Sequence, residues 1–576
     1  MTLAIDFETD WSRDYSVADL GAWAYCHDPR FRAYLVSFRG EDGWEWAGPP
    51  SKAPWEKANG YRHWVSHNAA FDSEVFACLP AGLPKGDGPD VWDCTADLAA
   101  CLQLPRDLAG ACREGLGVTV DKSVRERAGE PDLFAPSATE MEDYALNDAR
   151  LCMDLWERFQ GRWPEREREL SRHTRLMGRR GIGFDTEKAT EAVRSLTAQI
   201  TETEASLPWT ASGHPPTSRN AFFLECDRLG LPRPTTTAEK SPEWQDWLDA
   251  HEARVPWVRG LNQWRKLNRT KEVIGAMLLR TAENRLHYSL RYYGAAITGR
   301  WSGADGLNLQ NLNSKDTAGG IDLRALLVPE PGKVFIVSDL SQIEPRCLAV
   351  LTGDEKMLEF LRTGADLYEA HARATMGYMD PRPLKESDKS LRALAKARVL
   401  GLGYSCGASK FVTVAKIMAG LDISPEDSER IVTEYRAQNP KITALWDRMQ
   451  GEFSRVKGPV WAIRTKARRP MRYFKPKDGQ ASAVKGRPPV KFYGGKLVEN
   501  LIQATARDVL AEMILRIEAA GFPVVLHVHD EIIAEVPAAD APNALAEIRR
   551  IMTTPPDWMP SLPLECEATT MEAYGK

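Results

Sequence analysis

The chain has 576 residues, 43% apolar and 27% charged, which excludes a disordered or fibrous protein and, at roughly 150 residues per domain, predicts three or four domains. The formal net charge of −5 argues against a simple basic nucleic-acid wrapper. That total divides unevenly: residues 1–150 hold 14 Lys+Arg against 26 Asp+Glu and the remainder holds 61 against 54, so an acidic front precedes a mildly basic body.

The opening MTLAIDFETD has neither a basic start nor a long apolar run, which predicts no secretory signal. Nowhere do about 18 apolar residues run uninterrupted, which predicts no membrane span. The ten cysteines form no CxxC pair and the ten histidines include no pair at zinc-finger spacing, so a reduced cytoplasmic setting without structural zinc is expected. The 18 tryptophans are read as core fillers.

In chain order, Leu3–Phe7 alternates as a short strand, and Arg32–Arg39 and Gly43–Ala47 add further strands. From about Glu140 the pattern turns helical. Glu165–Met177 is charged and amphipathic and stops at Gly178-Arg-Arg-Gly-Ile-Gly183, a junction between domains. Residues 185–290 read as helices broken at Pro215-Pro216 and by the Pro232–Thr237 loop, and beyond Arg291 strands and helices alternate in an α+β pattern. Arg464 to Lys496 carries eleven Lys/Arg against one acid, Asp478, with Tyr473, Phe474, Phe492 and Tyr493 interleaved. Such a segment could lie along a phosphate backbone with the aromatics as stacking faces, although a solvated loop is the commoner use of a charge run.

Two sets of carboxylates carry the chemical reading. Asp6 and Glu8 sit two apart on a strand and leave the same face, where they repel each other unless a cation lies between them. A lone Asp-x-Glu is most often a solvated strand end. Two further segments raise its weight: Asn68-xxx-Asp72, and Tyr144-xxx-Asp148, in which a tyrosine precedes an aspartate by one helical turn. In that order the three resemble the motifs of DEDD-type 3′→5′ exonucleases of the tyrosine subclass. The resemblance implies that Asp6, Glu8, Asp72 and Asp148 hold two metal ions and that Tyr144 positions the attacking water. One ion would generate hydroxide and the other would stabilise the leaving 3′ oxygen.

The second set lies in the basic body. Lys333–Asp339 is an apolar strand ending in a carboxylate, and Val524–Val536 reads as two strands with His529-Asp530-Glu531 at their bend, a hairpin tip that could meet Asp339. Between them, Arg392, Lys396, Leu400 and Tyr404 step by four along a predicted helix, and no acid lies between Lys389 and Lys416. Cations left without acids one turn away suit a helix that faces a polyanion such as a triphosphate.

These segments resemble family A DNA polymerases. Asp339-Leu-Ser-Gln-Ile-Glu344 is similar to the first palm motif, Arg392 to Gly407 to the fingers helix, and His529-Asp530-Glu531 to the last palm motif. Thr298-Gly-Arg300, Asn308-Leu-Gln-Asn311, Tyr435-Arg436, Asn439-Pro440, Glu499-Asn500, Gln503-Ala504 and Arg507-Asp508 are similar to the family between them. The resemblance implies an α/β and α+β multidomain chain, an RNase H-like exonuclease followed by a right-hand polymerase. The expected divisions are exonuclease 1–160, helical thumb 161–290, first palm part 291–354, fingers with the basic insertion 355–495, and second palm part 496–576. The region 254–300, with ten basic and two acidic residues, suits a thumb gripping the duplex backbone.

By the same resemblance, Asp339 and Asp530 would bind two Mg²⁺ ions, replaceable by Mn²⁺, with Glu531 and His529 supporting the metal site and primer end. Arg392 and Lys396 would face the incoming triphosphate, and Lys396 would protonate pyrophosphate. Glu344 would crowd the sugar 2′ position, Tyr404 would abut the templating base, and Gln342 and Leu400 would complete the nucleotide pocket. Arg300, Asn308, Gln310, Asn500, Gln503 and Arg507 would contact DNA, several of them in the minor groove. Leu400 departs from the Phe or Tyr of many relatives, Tyr368 stands where a histidine is common, and Pro345 replaces a leucine; Leu400 and Tyr368 point to phage or prophage members. The expected partners are primer–template DNA, deoxynucleoside triphosphates and replisome proteins. The expected state is a monomer in the cytoplasm, that of the host for a viral protein. Two other readings stay open on the sequence: a 3′→5′ nuclease with a degenerate polymerase body, and a non-catalytic nucleic-acid scaffold. Glu344 and the proofreading front argue against an RNA polymerase.

Overall fold

A computed structural model of the chain describes residues 1–121, 123–127, 136–239, 241–312 and 318–575. The acidic front forms a five-stranded sheet of β1 (Thr2–Thr9), β2 (Ala33–Gly40), β3 (Glu45–Gly48), β4 (His63–Ser66) and β5 (Val91–Cys94), in the order β3-β2-β1-β4-β5. β1 runs antiparallel to β2 and parallel to β4, which is parallel to β5. The two-residue alternation of β1 feeds two cores. Leu3, Ile5 and Phe7 join Val36, Phe38, Trp55 and Trp64 on one face, while Ala4 and Val65 belong to the core that includes Leu155 and Trp156. Asp6 and Glu8 share the Ala4 parity, so the helix Ala138–Phe159, which packs on β1 and β2, lies over their face. That helix begins at a capping box in which Ser137 and Glu140 satisfy each other's backbone amides.

The helix Glu165–Arg180 ends at Gly181, whose φ of 68° suits a glycine stop, and it packs on both β5 and the strand Val524–Val528. It thus joins the front sheet to the body. Thr186–Ala205 and Pro256–Leu279 then pack along each other, and Arg219–Arg228 and Pro242–His251 close an aromatic core of Trp209, Phe222, Trp244, Trp247 and Trp257. The predicted helices up to residue 290 stop earlier, at Leu279. Glu283 and Asn284 both take positive φ, 49° and 58°, and fold Thr281–Ala282 back on Arg285–Leu286 as a tight hairpin.

The body centres on a four-stranded antiparallel sheet in the order Val524–Val528, Glu531–Pro537, Lys333–Leu340, Cys566–Met571. The 26-residue helix Gly494–Ala519 is buried almost all round, so it shows no one-sided apolar stripe. Ile343–Thr352, Glu355–Arg362, Leu367–Thr375, the short Leu384–Ser387, Lys389–Leu402, Ala408–Ala419, Pro425–Gln438 and Pro440–Ser454 form the helical part of residues 343–454.

The basic run corrects its sequence reading. Val460–Arg464, Pro470–Lys477, Gln480–Ser482 and Val490–Lys491 form a small antiparallel sheet. Tyr473, Phe474 and Phe492 are buried in it; Tyr473 meets Trp461, Phe453 and Phe492 in ring contacts and offers no stacking face, whereas Tyr493 is exposed. The apolar set behind the charges is what folds the segment. Gln103, fully buried, joins it to the front: its Nε2 donates to the carbonyls of Arg472 and Ala483 at 2.9 Å, and its Oε1 accepts from the Arg472 amide at 2.7 Å. Among the described residues, no helix is long and apolar enough to cross a membrane.

Candidate active sites

At the first site, β1 supplies Asp6 and Glu8 and the covering helix supplies Asp148. One carboxylate oxygen from each lies within 4.8 Å of the other two. Asp72, in the first turn of the helix Ala69–Cys78, stands beside them and is 3% exposed. Burial, reinforced by the charge of Glu8, pushes its carboxyl up to about 7, against hydrogen bonds from the Ser66 hydroxyl and the amides of Phe7 and Asn68. Three carboxylates converging around a buried fourth form an oxygen-only donor set that fits hard divalent cations. Tyr144 is buried one turn before Asp148 on the same helix, in a cluster with Leu35, Met141 and Ala145. A cleft of about 420 Å³ opens beside Glu8, lined by Trp11, Tyr34, Asn68 and Phe71. Trp11, which the sequence reading counted among the core fillers, is 57% exposed there.

At the second site, Asp339, next to last in its strand, lies directly opposite Glu531, and the Leu340 amide donates to the Asp530 carbonyl at 3.1 Å. The hairpin tip therefore meets the strand end. Burial raises the Asp530 carboxyl above its ordinary value, and the charge of Glu344 adds to it. Glu344 pairs with Arg300 and accepts a hydrogen bond from the Tyr404 hydroxyl at 3.2 Å. Burial and the adjacent Glu344 push the Tyr404 phenol far up. Glu531 accepts from the Tyr574 hydroxyl at 2.6 Å, a contact that a lone tyrosine near residue 576 does not announce.

The cationic helix runs from Lys389 to Leu402, so Tyr404 lies beyond its end and not on a fourth step of it. Gly401 and Gly403 lie at that end, and Trp446 Nε1 donates to the Gly403 carbonyl at 3.0 Å. Arg392 does meet an acid: Asp366, which caps the helix Leu367–Thr375, lies 3.6 Å away, and the guanidinium sits over the Tyr368 ring at 5.2 Å. Burial raises the Tyr368 phenol above its ordinary value, opposed by the nearby Gln342 side chain and the Arg392 charge, so that unusual tyrosine sits beside the first motif. Lys396 and Leu400 are half-buried, with Leu400 against the cluster around Met357 and Leu367.

The residues expected on DNA divide into two groups. Arg300, Asn308, Gln503 and His529 are partly or fully exposed, with Gln503 Nε2 on Glu499 at 3.3 Å and Asn308 capping Leu309–Asn311. Gln310 and Asn500 are buried, donating to the His527 carbonyl at 3.4 Å and the Tyr473 hydroxyl at 3.2 Å. Arg507 corrects its expected place: it is 3% exposed, forked onto Glu167 at 2.6 and 2.9 Å and onto the Gly299 carbonyl at 2.9 Å. Beside it, buried Arg469 bonds Asp508 at 2.7 Å and the Thr298 carbonyl at 2.7 Å. Two buried guanidiniums thus suspend the turn that presents Arg300 to Glu344. The basic region 254–300 likewise mixes roles: Arg254, Arg259 and Lys266 are exposed, whereas Arg280 is buried and bonded to the carbonyls of Ala276 and Asp305.

Gln342, Ser405 and His529 hold left-handed backbones, φ 55°, 63° and 55°, without being glycine. All three lie within the motif segments of the second site, where conformational strain is commonly stored. Residue types alone carry no signal for this.

A family model described as DNA polymerase family A matches residues 189–576. The chain is 26% identical to a DNA polymerase of Bacillus phage SP02, with both chains covered in full. It is 29% identical to a thermostable DNA polymerase I of Thermus filiformis over 71% of this chain, spanning 48% of that protein, so it covers about half of that longer relative. Among solved structures, the POL domain of Pol1 from M. smegmatis, in complex with DNA primer-template and dNTP, shares the fold with a TM-score of 0.69 at 19% identity, covering 99% of this chain and 95% of that one.

Proposed function

Because the chain belongs to the family A DNA polymerases, we infer that it extends a primer 3′ end on a DNA template and corrects its own product with a 3′→5′ exonuclease in the acidic front. The observation that carries the second half is the convergence of Asp6, Glu8 and Asp148 oxygens within 4.8 Å over buried Asp72. Three like charges so close cost free energy unless cations lie among them. We assign Mg²⁺ to both sites, held by Asp6, Glu8, Asp72 and Asp148 at one and by Asp339 and Asp530 at the other. When bound, such ions neutralise phosphate charge and ease ionisation of the attacking oxygen.

The chain's own residues do the remainder. At the exonuclease, Tyr144 orients the attacking water from the same helix that carries Asp148, and exposed Trp11 offers a stacking face to an unpaired base at the cleft. At the polymerase, Arg392 and Lys396 face the triphosphate and Lys396 gives a proton to the departing pyrophosphate. Glu344, fixed by Tyr404 and Arg300, crowds the sugar 2′ position. Gln342 and Leu400 complete the nucleotide pocket, and His529 and Glu531 brace the primer end. Arg300, Asn308 and Gln503 read the minor groove. Gln310, Asn500 and Arg507 act from beneath, positioning that surface.

The test is extension of a labelled primer–template with four deoxynucleotides and Mg²⁺ by wild type, Asp6→Ala and Asp339→Ala. Wild type is expected to extend and, without nucleotides, to shorten the primer. Asp6→Ala should only extend and Asp339→Ala should only shorten. Shortening that survives Asp6→Ala would overturn the assignment of proofreading to the front.

A further inference from the structure

The helix Ala69–Cys78 carries Asp72 toward the first site and, on other turns, Glu74 and Cys78 spaced one turn apart. His27, at the end of the short helix Ala22–Cys26, meets this second pair. Cys78 Sγ lies 3.7 Å from His27 Nε2 and 3.9 Å from Glu74 Oε1, and that same oxygen lies 3.8 Å from His27 Nδ1. One donor atom from each residue falls within 4.8 Å of the other two. Zinc bonds of about 2.0–2.3 Å in a tetrahedron require donors about 3.3–3.6 Å apart, so small side-chain adjustments would close the set on an ion.

Neighbouring groups aim the donors. His27 Nδ1 donates to the Trp23 carbonyl at 2.9 Å, which keeps the Nε2 lone pair as the ring's ligand; Cys78 Sγ lies beside the ring, 3.8 Å from Nδ1 and 3.7 Å from Nε2, so a turn of the ring brings Nε2 onto the set. The ring is stacked on Trp23 at 4.1 Å. The other oxygen of Glu74 lies 3.9 Å from Arg179, which leaves Oε1 to His27 and Cys78. Mixed nitrogen, sulfur and oxygen donors suit a borderline-soft cation and disfavour Mg²⁺. Glu74 and Cys78 are four residues apart, but His27 lies 47 residues before Glu74, so spacing along the chain could not reveal the set.

We propose that His27, Glu74 and Cys78 bind Zn²⁺, with a fourth position open to water, and that the ion ties Ala22–Cys26 to Ala69–Cys78. The site borders the body of the molecule: the Trp23 that stacks on His27 also stacks on His287 at 4.5 Å. The ion would therefore steady the contact between the front and the body.

The test uses full-length, metal-stripped protein under a non-coordinating reductant, titrated with Co²⁺ alone. A thiolate-to-cobalt charge-transfer band with the visible bands of four-coordinate cobalt is expected, both removed by one equivalent of Zn²⁺. Oxygen-only carboxylate sites give no such charge-transfer band. Cys78→Ser should abolish it, Cys406→Ser should retain it, and His27→Gln, at a ring 41% exposed and therefore tolerant of change, should weaken cobalt binding at least tenfold. Absence of the band in wild type, or its survival in Cys78→Ser, would overturn the proposal; should Cys78→Ser not fold, unchanged affinity in His27→Gln would do so.

Discussion

Glu344 is held from two sides, by the Tyr404 hydroxyl at 3.2 Å and by Arg300. Its carboxylate is a fixed wall and not a swinging side chain. Glu344→Ala is therefore expected to raise incorporation of ribonucleotides relative to deoxynucleotides by about a hundredfold, ~2.7 kcal/mol of discrimination. Tyr404→Phe, which frees one side, should raise it less. Single-nucleotide insertion kinetics with paired ribo- and deoxynucleotides measure both.

Lys396 is expected to act on the leaving group. Lys396→Ala should lower kcat by about 10²–10⁴-fold with a smaller change in KM. Arg392→Ala should mainly raise KM, since its guanidinium faces the substrate but also rests on Asp366 and Tyr368. Pre-steady-state extension separates the two.

Tyr144→Phe keeps the ring in its buried cluster and removes only the hydroxyl. Single-stranded 3′ degradation should fall about 10²-fold while primer extension with matched nucleotides is unchanged. A 3′-labelled oligonucleotide assay reads the first and a running-start extension the second.

Arg507 is predicted to matter for stability and not as a direct DNA contact. Arg507→Met strands Glu167 in the interior and should cost about 3–5 kcal/mol, partly recovered by adding Glu167→Gln. Denaturant unfolding measures this. Burial alone would raise the Glu167 carboxyl, but the Arg507 guanidinium holds it down to about 2. Its contribution is full above the unfolded value near ~4.3 and disappears as pH falls from there toward 2.

Buried His371 and His527 have the opposite chemistry and the same direction of effect. Burial lowers each imidazole to about 3, so each is neutral when folded and takes a proton near ~6.5 when unfolded. Folding stability should therefore fall as pH drops from about 6.5 toward 3, before most carboxylates titrate. His527→Leu should flatten the pH dependence of the melting temperature between 7 and 5 by up to one proton.

The elements with a simple period were legible in the sequence. β1 alternates, and Tyr144 and Asp148 share a helical face, so the carboxylate geometry of the front follows from local rules plus one packing event. The strand ending at Asp339 and the His529-Asp530-Glu531 bend were equally plain. What escaped were features decided by tertiary contact. Tyr473 and Phe492 looked like stacking platforms because sequence shows their basic neighbours but not the core beneath. Arg507 looked like a DNA contact because nothing local reveals Glu167, 340 residues earlier. Tyr404 left its predicted helix where glycines loosen the last turn.

Gln103 has a consequence in time. Its side chain fills its bonds with Arg472 and Ala483, 369 and 380 residues further along. At roughly 5–20 residues per second of synthesis, those partners emerge roughly twenty to seventy seconds after it. Until then the buried amide of a front that could already have folded is wet, and the seam to the basic sheet stands open. That seam closes only once the basic sheet has been made, as a docking of two surfaces onto one glutamine.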